Sequence, residues 1–376
     1  MRLHIFNPEH DIALAANLKR FTAPHAGRQM RADLGFLPAL WADDGDFVLV
    51  DDVAAALESV RHVRKYAHDV AFVSLADLKG LTPFVDDLII DPWGWDITLK
   101  DQLLRANGAL AGCMPSDEVL STVRQMSSRR FAASELLPVL VNSHNGLVGE
   151  SCYCETMESV SEAVERYGCQ AVLKSPWSSS GRGVRYVRTS DDYARLSGWA
   201  ANIVRQQGGI MVEPLYAKVC DFGMEFCVNK DGVVSYRGLS LFATSGGAYT
   251  GGLCATEKDK REMLSRCVDM QLLDKACDDI RSILAPQFKG VYAGAFGIDM
   301  MAVARKDGEG FLLHPCVELN LRRTMGHVAL ALTPSPFEAR RIMNVYYADK
   351  YRLRIKTTTD NLLNTGLYAQ AMFRIL

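Results

Sequence analysis

The chain has no run of apolar residues approaching the roughly 20 needed to cross a bilayer, so the sequence predicts no membrane span. It has no C-x-x-C pair; its 10 cysteines are scattered without regular spacing. That excludes a zinc ribbon or a disulfide framework and favours a reducing compartment. No G-x-G-x-x-G follows any early strand, which argues against a dinucleotide-dependent oxidoreductase. Charge of one sign is not in excess either: Lys plus Arg is 42 and Asp plus Glu is 44, a net charge of −2. A dedicated nucleic-acid binder is therefore not expected. The segment Met1 to Asp11 meets Pro8 and Glu9 too early for the apolar core of a secretory signal, so a cytoplasmic protein is expected. Internal repeats and low-complexity segments are missing as well.

What remains is an ordinary globular composition, 376 residues with 48% hydrophobic and 23% charged residues. At about 150 residues per domain this allows two or three domains. The first 112 residues alternate short apolar strands (2–6, 46–50, 70–74, 87–90) with helices, among them an amphipathic one over 53–66. That pattern predicts a parallel sheet covered on both faces, with ligands beyond the carboxyl ends of its strands. Two polar loops fall there, Asn7 to Asp11 and Asp91 to Asp96. His10, Trp93 and Trp95 are candidate ligand contacts, the tryptophans equally packing residues.

Beyond residue 112 the pattern changes to α+β. A helix is expected over 121–137, followed by strand 152–154, helix 157–167 with Gly168 as its C′ glycine, and strand 171–174. Strand 209–212 leads to a pair, 221–228 and 233–243, turning at Asp231-Gly232. Helices cover 258–284, and strands 297–303 and 310–319 turn at Lys306-Asp307-Gly308. Ala243 to Gly252 reads as a small-residue mobile loop over an acceptor or, equally, as a plain connection. Ser335-Pro336-Phe337-Glu338 combines an N-cap Ser, Pro at N1 and Glu at N3, which predicts C-terminal helices.

Three stretches carry chemistry. An apolar strand ends in Lys174 and opens into Ser175-Pro176-Trp177-Ser178-Ser179-Ser180-Gly181-Arg182-Gly183. Small residues with free N–H groups and hydroxyls, beside a lysine, suit phosphate oxygens; a solvated hairpin loop would look the same. Asp299 precedes Glu318 and Asn320, which project from one face of a strand. If these strands pair, three oxygen donors converge, a set suited to Mg²⁺ shared with phosphate. The third stretch is Met211-Val212-Glu213-Pro214, whose backbone suits an adenine edge, followed by Asp221 and Glu225 on one strand face within reach of ribose hydroxyls. Each acid taken singly is also what a plain surface acid looks like.

Together, in this order and spacing, the stretches resemble the ATP-grasp superfamily of ligases over roughly residues 113–330, with residues 1–112 similar to the Rossmann-like domain that precedes it there. The resemblance implies an ATP-grasp fold of mixed α/β and α+β type: a Rossmann-like domain (1–112), a small lobe with the glycine-rich phosphate loop (113–212), and a large lobe with the metal site and C-terminal helices (213–376). It assigns Lys174, Ser178, Ser179, Ser180, Gly181 and Gly183 to phosphates, Met211, Val212 and Glu213 to adenine, and Glu225 to ribose. Asp299, Glu318 and Asn320 would hold Mg²⁺, with Mn²⁺ an admissible substitute. The E-x-N element followed by Arg322 and Arg323 is its most specific part. Where the family carries a second nucleotide-binding lysine, this chain has Ser127-Ser128-Arg129-Arg130, so Arg129 or Arg130 would stand in. Where several ligases carry an arginine two residues before the metal aspartate, this chain has Gly297; Arg237, Arg322 and Arg323 are candidates for that charge, and Arg322 and Arg323 for a carboxylate clamp.

The activity implied is ATP-dependent joining of a carboxylate to an amine through an acylphosphate, with ATP and Mg²⁺ as cofactors and small molecules as partners. A homodimer is the oligomer common among such ligases. The alternatives are a phosphotransferase on the same fold and an ATP-binding regulatory protein.

Overall fold

A computed structural model of the chain describes residues 1–178, 181–245 and 248–358. In chain order its strands are β1 (Arg2–Ile5), β2 (Phe47–Leu49), β3 (Ala71–Val73), β4 (Ile89–Pro92), β5 (Cys152–Cys154), β6 (Ala171–Lys174), β7 (Val184–Val187) and β8 (Ile210–Pro214). They continue with β9 (Lys218–Val228), β10 (Val234–Ser240), β11 (Phe242–Ser245), β12 (Ala248–Cys254), β13 (Gly294–Ala304), β14 (Phe311–Asn320), β15 (Arg341–Tyr347) and β16 (Tyr351–Thr357).

The first sheet, ordered β3-β2-β1-β4, is parallel throughout. Its strands bury both faces, as continuous apolar strands in a parallel sheet require. Leu3, Ile5, Leu49 and Ile90 pack on one side, Phe6, Val48 and Val50 on the other. The second sheet, β5-β8-β6-β7, is antiparallel and is covered by the helices Met157–Arg166 and Ser190–Gln207. Gly168, at φ +62, ends the first of these as expected.

The third sheet, β10-β9-β13-β14, holds the largest core. Phe226 and Phe296 stack with centroids 5.0 Å apart, and Phe288 of the helix Met270–Phe288 closes edge-on at 5.1 Å. The turns at Gly232 and Gly308 both take positive φ, 84° and 78°. The fourth sheet, β11-β12-β15-β16, packs on the N-terminal domain: Cys254 and Met343 share a core with Leu34, Phe36 and Val48.

Three expectations are corrected. The helix over 121–137 is broken. Asp117–Met126 ends at Ser127, a short turn follows at Arg129–Phe131, and a π turn over Ala132–Leu136 leads into the helix Leu137–Ser143. These helices bury Val123, Met126, Leu136 and Leu140 in the core of the third sheet. Among the described residues no helix follows Ser335, and residues 359–376 of that expectation lie outside them. Glu338 does accept the Ser335 N–H, at 2.9 Å, but the next residues alternate and pair as β15 and β16. A local capping signal lost there to β-rich sequence with a sheet edge, β12, to join. Ala243 to Gly252, read as a loop, is mostly the hairpin β11–β12, with Gly246 and Gly247 outside the described residues.

Candidate functional site

Pairing of β13 with β14 sets Asp299 opposite Glu318, and Gly297 opposite Asn320. The Asn320 amide donates to Asp299 Oδ2 at 3.2 Å. Burial first, then the nearby Glu318 and Glu225 carboxylates, push the Asp299 carboxyl up to about 8. Clustered acids that resist ionising together are what a bound cation relieves. Among the described residues no three of His, Cys, Asp and Glu converge as a metal cage. Two carboxylates and an amide instead fit a hard divalent cation that takes its other ligands from phosphate and water.

Arg129 joins this pair to the phosphate loop. The break after Ser127 turns its backbone N–H onto the Pro176 carbonyl at 3.0 Å. Its guanidinium donates to the Ser175 carbonyl (2.6 Å), Ser178 Oγ (2.7 Å) and Glu318 Oε1 (2.7 Å). Arg130 points elsewhere: it is exposed and lies over the Tyr153 ring at 4.3 Å, so of the two arginines only Arg129 reaches the site. The loop doubles back through Ser175 N–H to Gly183 carbonyl at 2.8 Å. A side chain at Gly183 would overlap Ser178 and Ser175, and Gly181 takes φ +69. Ser179 and Ser180 lie outside the described residues.

Lys174, at the end of β6, is buried and pairs with Glu213 Oε2 at 2.5 Å. Burial first, and then this lysine, hold the His314 imidazole down at about 3. Met211 and Val212 do not have the exposed edge expected of an adenine strand. Both are fully buried, and β8 is flanked there by β5 and β6, which take up its backbone groups. The β5 pairing stops at Val212, so the edge opens only at Glu213. Sequence alone does not reveal this, because sheet order is a tertiary property.

Asp221 and Glu225 share the face of β9 opposite to Phe222, Met224 and Phe226, as expected. Asp221 pairs with Lys218 at 2.6 Å. Glu225 is not free for a ribose. It is buried, accepts from Ser240 Oγ (2.7 Å) and Thr324 Oγ1 (2.8 Å), and lies 3.0 Å from His327 Nδ1. It anchors the start of the helix Met325–Ala331, where Gly326 leaves it room.

Arg322 and Arg323 diverge, both toward the N-terminal domain. Arg322 forks onto Asp11 at 2.8–3.0 Å. Burial alone would raise the Asp11 carboxyl, but the guanidinium outweighs it and holds the group below its ordinary value. Arg323 donates to Asp91 Oδ2 at 3.0 Å and lies over the Trp41 ring at 4.7 Å. Its guanidinium thus ties the strand end of the third sheet to the N-terminal domain. Trp93 and Trp95 are buried, and Trp93 packs edge-on to Phe6; both are packing residues.

The two N-terminal loops interlock. Asn7 exchanges hydrogen bonds with the Gly94 backbone, 2.9 Å to its carbonyl and 3.3 Å from its N–H. Asp96 caps the helix Ile97–Ala106 by accepting from Leu99 N–H at 2.9 Å. A narrow cleft runs between domains, lined by His10, Asp11, Ser178, Glu318 and Asn320. Within these loops the sequence marks His10, Trp93 and Trp95 as ligand contacts rather than Asp11 or Asp96, although an Asp three residues before a helical N–H is a legible cap.

No protein-family model matches the chain, and no curated protein matches its sequence. Among solved structures it is similar to the N5-carboxyaminoimidazole synthetase from Staphylococcus aureus complexed with ADP. That match covers 96% of this chain and 93% of the other at 10% identity and a TM-score of 0.51. It is also similar to the biotin carboxylase–βγ-ATP complex from Campylobacter jejuni, over 92% of this chain and 75% of the other, at 11% identity and a TM-score of 0.50. At such identities the likeness establishes the fold: this chain has the ATP-grasp fold.

Proposed function

We propose that this protein is an ATP- and Mg²⁺-dependent ligase that joins a carboxylate to an amine through an acylphosphate, releasing ADP and phosphate. The observation that carries this reading is a cleft lined by Glu318, Asn320 and Ser178, with Asp299 hydrogen-bonded to Asn320 and Arg129 bridging Glu318 to Ser178 behind it. Two structurally similar proteins were crystallised with ADP or an ATP-type nucleotide, which supports a nucleotide in that cleft.

Triphosphate, carboxylate and the phosphoryl group in transfer are all anionic, so the chemistry is positioning plus charge neutralisation. Lys174 and Arg129 supply fixed positive charge, and the N–H groups around Gly181 and Gly183 would hold the phosphates. Arg322, bound to the cleft residue Asp11, is a guanidinium available for the carboxylate. Mg²⁺ held by Asp299, Glu318 and Asn320 would neutralise phosphate oxygens and orient them. The residues and loops around the cleft must also exclude water, because an acylphosphate otherwise hydrolyses. No protein nucleophile is required, and six of the ten cysteines are buried thiols.

The test is phosphate release from ATP and Mg²⁺ across carboxylates crossed with amines, with Glu318→Gln as the blank. Release that needs both partners supports the ligase. Release with one compound alone indicates phosphotransfer, and nucleotide binding without release in any combination indicates a regulatory protein.

A further inference from the structure

The loop Asn7 to Asp11 brings one side chain to the cleft with nothing to do there. His10 is 1% exposed, yet its Nε2 has no hydrogen-bond partner. Its other nitrogen, Nδ1, lies 3.1 Å from Asp96 Oδ2. Asp96 is itself fixed: its Oδ1 caps a helix and its Oδ2 also receives the Asn7 amide at 3.4 Å. A carboxylate only accepts, so the ring proton of neutral His10 belongs on Nδ1, which leaves Nε2 as a bare lone pair. The ring lies flat against Gly94, where any Cβ would come within 2.5 Å of it. The other polar groups of the cleft are engaged: Asp11 by Arg322, Glu318 by Arg129, Asn320 by Asp299. A histidine serving only as packing has no need of a rigid carboxylate on one nitrogen and an unpartnered lone pair on the other.

We propose that His10 is the general base of the amine-transfer step, with Asp96 as its positioning residue; this rests on the ligase reading above. The amine lone pair forms the new C–N bond at the acyl carbon. The C–O bond to phosphate breaks, phosphate leaves with the electron pair, and one proton passes from the amine nitrogen to His10 Nε2. The acceptor is thus a primary or secondary amine entering from the N-terminal domain, opposite the nucleotide.

Hydroxylamine separates the two halves of the reaction, since it is largely unprotonated near neutral pH and traps an acylphosphate without a base. The parent enzyme with ATP, Mg²⁺, hydroxylamine and a panel of carboxylic acids should yield a hydroxamate from the true donor. Hydroxamate from no acid would sink the ligase reading, and this inference with it. With the donor in hand, His10→Gln should keep hydroxamate formation within about threefold while amide formation from an amine panel falls about 10²- to 10⁴-fold in kcat. Asp96→Asn should lower kcat for amide formation with little change in KM for ATP. Equal losses of hydroxamate and amide, or no loss of amide, would overturn the proposal. A readout independent of substrate is the histidine ¹⁵N spectrum, with His10→Gln giving the assignment: the neutral form should carry its proton on Nδ1, and a neutral form protonated on Nε2 refutes the lone-pair geometry. Attachment of phosphate to His10 on incubation with MgATP would also overturn it, by making the residue a nucleophile.

Discussion

Arg129 and Glu318, 189 positions apart, are joined by a 2.7 Å ion pair, and the same guanidinium holds the Ser175 carbonyl and Ser178 hydroxyl. One buried side chain thus couples the phosphate loop to a candidate metal ligand. Hydrogen bonds to charged groups contribute about 1.5–3 kcal/mol each. Arg129→Ala should therefore weaken ATP binding about 10- to 100-fold by calorimetric titration. Arg129→Lys should recover part of that, since an ammonium keeps the charge but cannot fork. Unchanged affinity in Arg129→Ala would detach the arginine from the nucleotide.

The Lys174–Glu213 pair is buried on both sides. Removing one partner of such a pair leaves an uncompensated charge, at a cost of about 3–5 kcal/mol. Lys174→Met should lower stability by that order in urea unfolding and also cut turnover. Adding Glu213→Gln should restore much of the stability and none of the turnover. If stability returns together with activity, the lysine is a structural partner only.

Asp299 gives a pH prediction with a defined sign. Its folded carboxyl is raised from the ordinary 3.8 to about 8, so the folded state holds an extra proton between those values. The stabilisation is complete below about 4 and is lost as pH rises through about 8. Asp299→Asn should gain Tm over the parent progressively from pH 4 to 8, by several degrees at the top of that range. Mg²⁺ should raise the parent's Tm most at high pH, since binding displaces that proton. A mutant curve parallel to the parent's would refute the burial of this charge.

Glu225 is held by Ser240, Thr324 and His327. Glu225→Ala leaves three buried polar groups without their acceptor, a loss of about 3 kcal/mol or more. Metal-free ADP affinity should change less than about twofold. A large loss of ADP affinity in a well-folded Glu225→Ala protein would return this acid to the ribose.

Sequence alone determined the parallel N-terminal sheet, because continuous apolar strands between helices have few other solutions. It also located the Lys174 loop, the E-x-N pair and the hairpin that unites Glu318 with Asp299, since period-two alternation and glycine turns are local properties. What it left open depended on contacts between distant segments. Choosing Arg129 over Arg130 required the helix break at Ser127 and its seat on Pro176. Demoting Met211 and Val212 required the order β5-β8-β6, and demoting Glu225 required a helix nearly 100 residues away. The strands after Ser335 formed because β12 had an edge to offer, which no capping signal can report. Whether His10 is one more core histidine or a base facing the cleft was decided by Asp96, 86 residues on, and by the missing side chain of Gly94. Residue type sets what a group can do, but its partners, which only the tertiary fold supplies, set what it is free to do.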